Sequence, residues 1–159
     1  MPEWLRDPIG AAERGENPTV LRRMPSGYAV IGNMQLLPGY CLLLAVPRVT
    51  HLTDLAPAAR RQFLFDMSVL GEAVEHACRP YGLRRLNYEI LGNGETFVHA
   101  HIFPRYHWEP AERLTEPVWR YPREIFTDAA YAYAAVKHGE LKRDIEAALA
   151  TLSERADQG

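Results

Sequence analysis

Residues 96–105 read Thr-Phe-Val-His-Ala-His-Ile-Phe-Pro-Arg, and this segment alternates in character from one residue to the next. Side chains of a β-strand point alternately to its two faces, so the odd-numbered and the even-numbered residues lie on opposite faces. One face is wholly apolar, as expected of a strand that packs on a core, and consists of Val98, Ala100 and Ile102. The other face carries His99 and His101, which lie ~6–7 Å apart along an extended strand. The segment predicts a strand that ends at Pro104 and presents two imidazoles on its open face.

The flanking sequence predicts the rest of an α+β fold. Strands are indicated by alternating or continuous apolar residues between turn signals, at 19–24, 28–31, 40–46 and 86–91. A helix from near Pro57 to Arg79 is predicted by apolar residues at steps of three and four: Phe63, Met67, Leu70, Val74 and Ala77. A short alanine-rich helix ending near Gly139 and a last helix after it complete the pattern. Because the connections between strands are short, we expect a mainly antiparallel sheet.

The chain of 159 residues is long enough for one domain with a real core. Residues 1–18 are rich in proline, glycine and charge, and we expect an irregular N-terminal arm there. Residues 19–106 form the predicted core domain. Residues 107–159 are predicted to be a loop rich in proline, tryptophan and tyrosine, followed by C-terminal helices that pack on the same domain.

Composition and charge limit the function classes. The net charge of −2 argues against general binding of nucleic acid or membranes. The longest apolar run, residues 40–46, is too short to span a bilayer, and the first residues contain no hydrophobic export segment. We therefore expect a cytoplasmic protein without a membrane partner. Cys41 and Cys78 are best interpreted as small core residues rather than as ligands or a disulfide.

The histidine pair has three interpretations. The two rings could be structural, hydrogen-bonded and inert. They could bind a metal, but a metal needs at least a third ligand, and Phe103 stands where the pattern His-x-His-x-Asp requires aspartate. The missing ligand would have to arrive through folding, from a cysteine or from another histidine: His51, His76 or His107.

The third interpretation is a nucleophilic histidine. An unperturbed imidazole titrates near pH 6.5 and is mostly neutral at pH 7. If one ring nitrogen donates to a backbone carbonyl, the other presents its lone pair and can attack phosphorus to form a covalent phosphoramidate. The second histidine would steady phosphate oxygens or the leaving group, and N–H groups of the turn at 92–95 would supply further donors. This chemistry needs no metal and no cofactor.

Residues 99–106, His-Ala-His-Ile-Phe-Pro-Arg-Tyr, resemble the end of the histidine-triad motif, His-x-His-x-His-x-x-Pro-Arg. Residues 87–93 resemble the strand and turn that precede this motif in the histidine-triad superfamily. Residues 46–52 are similar to its strand end and following histidine, and residues 37–39 to its hairpin. The resemblance covers about residues 19–106.

Counting back from Pro104 puts His99 at the nucleophile's position and His101 at the last histidine of the triad, with Phe97 in place of the first histidine. In the family the backbone carbonyl at the first position helps to orient the nucleophile, and phenylalanine retains that carbonyl. We therefore expect the covalent step to survive and the handling of the leaving group to differ. Counting forward from Gly94 would instead make His101 the nucleophile and Phe103 the substituted last histidine. The first register keeps the spacing from histidine to Pro-Arg.

The resemblance implies a twisted antiparallel sheet of about five strands with flanking helices, often paired into a homodimer. It implies a nucleotide hydrolase or nucleotidyl transferase acting on the α-phosphate of dinucleoside polyphosphates, nucleoside phosphoramidates or related nucleotide esters. Asn33 falls near the ribose-binding position, and three residues fall near positions that contact phosphate or order the site: His51, Asn87 and Asn93. Each asparagine could equally be a turn or strand-end cap. A catalytically silent nucleotide-binding protein is the non-enzymatic alternative.

Some features carry weaker predictions. Three aromatic residues could wall a base pocket or a dimer contact, or simply pack in their loop: Trp108, Trp119 and Tyr121. Arg105 is interpreted as a structural charge, and residues 109–113 as a solvated charged loop. His76 and His138 are expected to face solvent.

Overall fold

The computed structural model describes residues 1–156, so the last three residues of the predicted 107–159 segment lie outside the described residues. The fold is an antiparallel five-stranded sheet with the strand order β1-β2-β3-β5-β4. The strands are β1 (Val20–Met24), β2 (Gly27–Ile31), β3 (Cys41–Ala45), β4 (Leu83–Glu89) and β5 (His99–Tyr106). The helices are α1 (Glu3–Arg6), α2 (Pro8–Glu13), α3 (Pro57–Cys78) and α4 (Ala135–Ala156). This architecture confirms the predicted α+β fold with a five-stranded antiparallel sheet.

The histidine strand β5 lies inside the sheet, between β3 and β4. On one side Leu42 pairs with His101 and Leu44 with His99, and on the other side Glu89 pairs with His101. The prediction that the strand ends at Pro104 is wrong, because β5 continues to Tyr106. The pairing with β3 stops at Ile102, so position 104 has a free edge on that side, where proline is tolerated.

The core lies between the sheet and helix α3. Ala100 and Ile102 of β5 are fully buried against the apolar stripe of α3, as the alternation of the strand predicts. Four of the five predicted stripe residues of α3 are buried: Phe63, Leu70, Val74 and Ala77. Both cysteines are buried and free, which confirms their interpretation as core residues. Among residues 1–156, no helix is both long enough and apolar enough to cross a membrane.

The C-terminal region differs from the prediction of two helices. Residues 129–131 form only one 3-10 turn, and a single helix, α4, then runs through Gly139 to Ala156. A glycine inside a helix costs about 1 kcal/mol, and packing on one side of α4 outweighs this cost. That side includes His138, which is only 4% exposed, so the expectation that His138 faces solvent is wrong. His76 on α3 is exposed as expected.

The first residues are not the irregular arm that their composition suggested, since they form α1 and α2. Asp7 caps α2 by accepting a hydrogen bond from the backbone N–H of Gly10, and Pro8 occupies the first turn. Ile9 of α2 is buried against Val30, Leu44 and Phe97, which belong to the face of the sheet that carries the histidines. The N-terminal helices therefore cover part of that face.

Candidate active site

His99 is held by the backbone two residues before it. Its ring nitrogen Nδ1 lies 2.9 Å from the carbonyl oxygen of Phe97, and the residue is only 7% exposed. A carbonyl oxygen can only accept a hydrogen bond, so Nδ1 is the nitrogen that carries the proton and donates. In the neutral ring the lone pair is then on Nε2. The sequence raised this arrangement as a condition for a nucleophile, and the geometry of residues 97–99 meets it.

His101 is the neighbour of His99 on the same face, with 4.7 Å between the ring centroids. Its Nδ1 lies 2.7 Å from the hydroxyl oxygen of Tyr40. Burial raises the pKa of Tyr40, which keeps the phenol protonated. With the hydroxyl donating to Nδ1, the proton of the His101 ring is assigned to Nε2, which becomes a hydrogen-bond donor.

Burial, followed by the charge on His99, lowers the pKa of His101 to about 4. The unfolded ring takes up its proton near pH 6.5, so between these values the unfolded chain binds more protons than the folded chain. Stability is therefore expected to fall as the pH drops through this window. The share of His101 is on the order of 1–3 kcal/mol, at about 1.4 kcal/mol per pKa unit.

Urea unfolding at pH 7.5 and at pH 4.5 measures this loss. His101→Gln should make it smaller, whereas His107→Gln, a change of an exposed histidine, should leave it as in the wild type. An unchanged loss in His101→Gln would contradict the assignment.

Aromatic side chains close the end of the site next to His101. Trp119 meets His101 edge-on, with 5.4 Å between the ring centroids, and meets Phe103 at the same distance. Its indole N–H donates to the carboxylate of Glu89 at 2.5 Å. Tyr40 stacks on Phe103 with centroids 4.0 Å apart. The long loop after β5 thus places one of its three predicted aromatic residues directly against the histidine pair.

A buried ion pair anchors this loop. The side chains of Arg105 and Glu109 are 3% and 0% exposed, and Arg105 Nη2 lies 3.0 Å from Glu109 Oε2. Glu109 also accepts from the hydroxyl of Tyr121 and from the backbone N–H of Tyr106. The interpretation of residues 109–113 as a solvated charged loop is therefore wrong for Glu109, because this carboxylate is the internal partner of Arg105.

A cavity of about 270 Å³ opens next to His99. Its wall is mostly apolar and comes from the N-terminal helices and from strands β2 and β3: Trp4, Leu5, Pro8, Val30, Leu42 and Leu44. Phe97 and His99 line one side, and the polar groups of Asn33 and Glu95 reach the same space. An apolar cavity with a few convergent polar groups is typical of a small-molecule site.

The predicted binding residues separate into two groups. Asn33 lines the cavity together with His99. The other three do not line it: His51 is exposed at the start of a 3-10 turn, Asn93 is exposed in the turn before β5, and the amide oxygen of Asn87 accepts from Arg105 at 2.9 Å. Asn87 thus has a structural partner, and the roles of His51 and Asn93 stay predictions.

Sequence reasoning missed Tyr40 and the N-terminal helices. Tyr40 precedes Leu42 and Leu44 at steps of two, and these residues pair with His101 and His99, so the strand period could have placed Tyr40 on the same face. The Asp7-Pro8 pair is a helix-start signal in the sequence. No local sequence signal predicts that these helices pack on the histidine face of the sheet.

Phe97 is also in contact with a cation. The ring of Phe97 lies 5.4 Å from the ring of His99, and the guanidinium carbon of Arg48 lies 5.4 Å from the centroid of Phe97. Arg48 Nη2 is 2.5 Å from a carboxylate oxygen of Asp7. Hydrogen bonds from Arg48 and then from the N–H of Gly10 hold the pKa of Asp7 below its usual value.

Among residues 1–156, no group of three or more histidine, cysteine, aspartate or glutamate side chains is placed to hold a metal ion. The cysteine thiols are poor ligand candidates, because burial raises the pKa of Cys78 to about 11 and also raises the pKa of Cys41. The metal interpretation of the histidine pair would therefore require ligands beyond the described residues.

The sequence matches no model of a known protein family and no curated protein. Solved structures are similar to it. A histidine triad protein from Marinobacter aquaeolei VT8 superimposes with a TM-score of 0.67 at 22% identity, over 84% of this chain and 89% of that one. A histidine triad protein from Bradyrhizobium japonicum gives a TM-score of 0.68 at 18% identity, over 87% and 95%.

A third similar structure is a hypothetical histidine triad nucleotide-binding protein from Sulfolobus tokodaii, with a TM-score of 0.65, 14% identity and 91% of each chain covered. The three superpositions each cover 84% or more of this chain. The chain has the histidine-triad fold.

Proposed function

We propose that the protein is a nucleotide hydrolase or nucleotidyl transferase of the histidine-triad superfamily that acts on the α-phosphorus of nucleoside 5′-phosphate derivatives. The observation that carries the proposal is the hydrogen bond from His99 Nδ1 to the Phe97 carbonyl, which frees Nε2 for attack beside an apolar cavity. The similar structures support it through their shared fold, and one of them is described as nucleotide-binding.

The first step is a displacement at phosphorus. The Nε2 lone pair of His99 attacks the α-phosphorus, a P–N bond forms, and the bond from phosphorus to the bridging oxygen breaks. The leaving group departs with the bonding electron pair, and the ring becomes a nucleotidyl-imidazolium. The proton stays on Nδ1, which continues to donate to the Phe97 carbonyl. His101, neutral and donating from Nε2, hydrogen-bonds to a phosphoryl oxygen as charge develops there.

The second step hydrolyses the covalent intermediate and regenerates the free enzyme. Water attacks the same phosphorus, the P–N bond breaks, and its electron pair returns to Nε2 of His99. The attacking water loses one proton to solvent, and the product is a nucleoside 5′-monophosphate. Another hydroxyl or phosphate in place of water would make the reaction a transfer. Neither step uses a metal or a cofactor.

The cavity fits the nucleoside half of such a substrate. Its apolar wall suits a base ring, and we assign the ribose hydroxyls to the amide of Asn33 and the carboxylate of Glu95, which both line the cavity. The backbone of Asn33 is anchored, because its main-chain carbonyl accepts a hydrogen bond from the backbone N–H of Tyr133 at 2.7 Å. In this proposal the apolar wall holds the base, Asn33 and Glu95 bind the sugar, and His99 is the nucleophile.

The test is a panel of dinucleoside polyphosphates and nucleoside phosphoramidates, with each of the common bases, incubated in H₂¹⁸O with a chelator present. We expect release of mononucleotide that carries the ¹⁸O label, since water attacks the α-phosphorus. Label in the other product would place the attack elsewhere. Activity that the chelator abolishes would support the metal-dependent alternative instead.

A second candidate, nucleotide binding without turnover, is favoured by one observation: Phe97 cannot transfer a proton or donate a hydrogen bond. Calorimetry with nucleoside monophosphates and a non-hydrolysable dinucleotide would show micromolar binding in both cases. Binding without any release of mononucleotide selects this candidate. The homodimer and the cytoplasmic location stay predictions.

A further inference from the structure

Arg48 is a cation in contact with Phe97 that the proposed mechanism has not used. It lies in the segment between β3 and α3, and its side chain is 48% exposed. Its guanidinium stacks on one side of Phe97, whose ring in turn contacts His99. Phe97 and Pro8 line the cavity next to His99. Pro8 directly follows Asp7, which is the ion-pair partner of Arg48. Arg48 therefore stands at the edge of the site on the side of Phe97.

The groups around Phe97 determine which leaving groups the site can release. Phe97 has no proton to give, and arginine stays protonated at any physiological pH. His101 is neutral and offers a hydrogen bond rather than a proton. Arg48 can therefore neutralise a negative charge. Of the described side chains Phe97, Arg48 and His101, none protonates an amine or an alcohol as it leaves. The Glu95 carboxylate that lines the same cavity is assigned to the ribose.

Resting on the proposed function, we propose that Arg48 binds the anionic leaving group, and that the substrates of this protein are dinucleoside or nucleoside polyphosphates rather than phosphoramidates. When His99 attacks the α-phosphorus of a polyphosphate, the bridging oxygen takes the bonding electrons and the remaining chain departs as a stable phosphate anion without a proton. The guanidinium of Arg48 pairs with this anion through charge-assisted hydrogen bonds. An amine would have to leave as an amide anion or find a proton from another source.

Asp7 sets the resting position of Arg48. The Arg48–Asp7 contact of 2.5 Å is exposed to solvent, and an exposed ion pair of this kind contributes little stability. A polyphosphate chain carries more charge than one carboxylate and can replace it as the partner of Arg48. Asp7 then remains bound to the N–H of Gly10 as the cap of α2.

The experiment compares Arg48→Gln and Arg48→Lys with the wild type on two substrates of the best base: a dinucleoside tetraphosphate and the p-nitrophenyl ester of the nucleoside 5′-phosphate. Both leaving groups depart without a proton, but only the first carries phosphate charge. Loss of a charged hydrogen bond predicts a fall in kcat/KM of about 10–100-fold for the tetraphosphate in Arg48→Gln. The fall should be at least tenfold smaller for the ester, and Arg48→Lys should recover part of the loss.

Arg14→Gln is the matched control, because Arg14 lies 4.0 Å from Asp7 but is not stacked on Phe97. An equal fall for both substrates, or none for either, would overturn the role of Arg48. Phosphoramidate turnover that matches tetraphosphate turnover in the wild type would overturn the substrate class.

Failure of the proposed function would look different, because the wild type would then cleave none of these compounds. Calorimetric titration with inorganic tripolyphosphate still decides the role of Arg48 in that case. Binding that weakens at least tenfold in Arg48→Gln and not in Arg14→Gln supports an anion site. Binding that is absent, or equal in all three proteins, rejects it.

Discussion

His99→Gln is expected to lower kcat/KM on the best substrate by about 10⁴-fold or more, the scale seen when a catalytic nucleophile is removed. Glutamine keeps a polar side chain on the same strand face but offers no ring nitrogen to phosphorus. The fold should persist, because Ala100 and Ile102 of β5 lie on the other face, where helix α3 packs. Steady-state assays give the rate, and thermal unfolding shows that the variant is folded.

Quenching the reaction during turnover tests the covalent intermediate directly. A nucleotidyl-histidine has a P–N bond, which survives base and breaks in acid, so the quenched wild-type protein should carry one nucleotide whose mass and lability identify it. His99→Gln should carry none, and His107→Gln should behave as the wild type. A variant at position 99 that turns over as fast as the wild type would refute the mechanism.

The same experiment tests the alternative register. If His101 were the nucleophile, His101→Gln would lose the covalent intermediate and His99→Gln would keep it. The hydrogen bonds argue against that result, since the Nδ1 of His101 faces the hydroxyl of Tyr40 and not a backbone carbonyl. His101→Gln should still form the intermediate, more slowly.

The two-residue period of 96–105 was enough to predict the strand, the face that packs on the core and the face with both histidines. The expectation that the histidine face is open was wrong, because all of β5 is buried. The strand and its two faces could be predicted because burial on one side of a sheet fixes the register of every side chain along the strand. The stripe of α3 was readable for the same reason, with the helical period. Local sequence patterns therefore predicted the histidine strand and the helix that packs behind it.

Contacts between distant segments could not be read in this way. Proline, glycine and charge made residues 1–18 look irregular, yet Ile9 is buried on the histidine face. Glu109 precedes the charged pair Glu112 and Arg113 in sequence, and only the fold shows that its carboxylate is buried against Arg105 and accepts from the hydroxyl of Tyr121, twelve residues later. The sequence suggested a helix end at Gly139. In the structure α4 continues through it, because packing along the helix outweighs the low helix propensity of glycine.

Glu109→Ala is expected to lower the free energy of unfolding by about 3–5 kcal/mol, because it leaves the Arg105 guanidinium charged and buried without its counter-ion. The remaining partners of Arg105 are neutral acceptors, the amide oxygen of Asn87 and the carbonyls of Arg113 and Glu116, and they do not balance the charge. The Tyr121 hydroxyl loses its acceptor as well. Urea unfolding at pH 7.5 measures the loss.

The loop that this pair anchors also carries Trp119 against His101, so the same variant should be less active even where it is still folded. Glu112→Ala removes an exposed carboxylate from the same loop and should change stability by less than about 0.5 kcal/mol. Arg105→Met combined with Glu109→Leu removes both charges and should regain part of the lost stability, since a buried ion pair can be replaced by apolar groups of similar size. The groups that bonded to the pair, such as the Tyr121 hydroxyl, stay without it. If Glu109→Ala were as stable as Glu112→Ala, the ion pair would not be what holds the loop over the histidine strand.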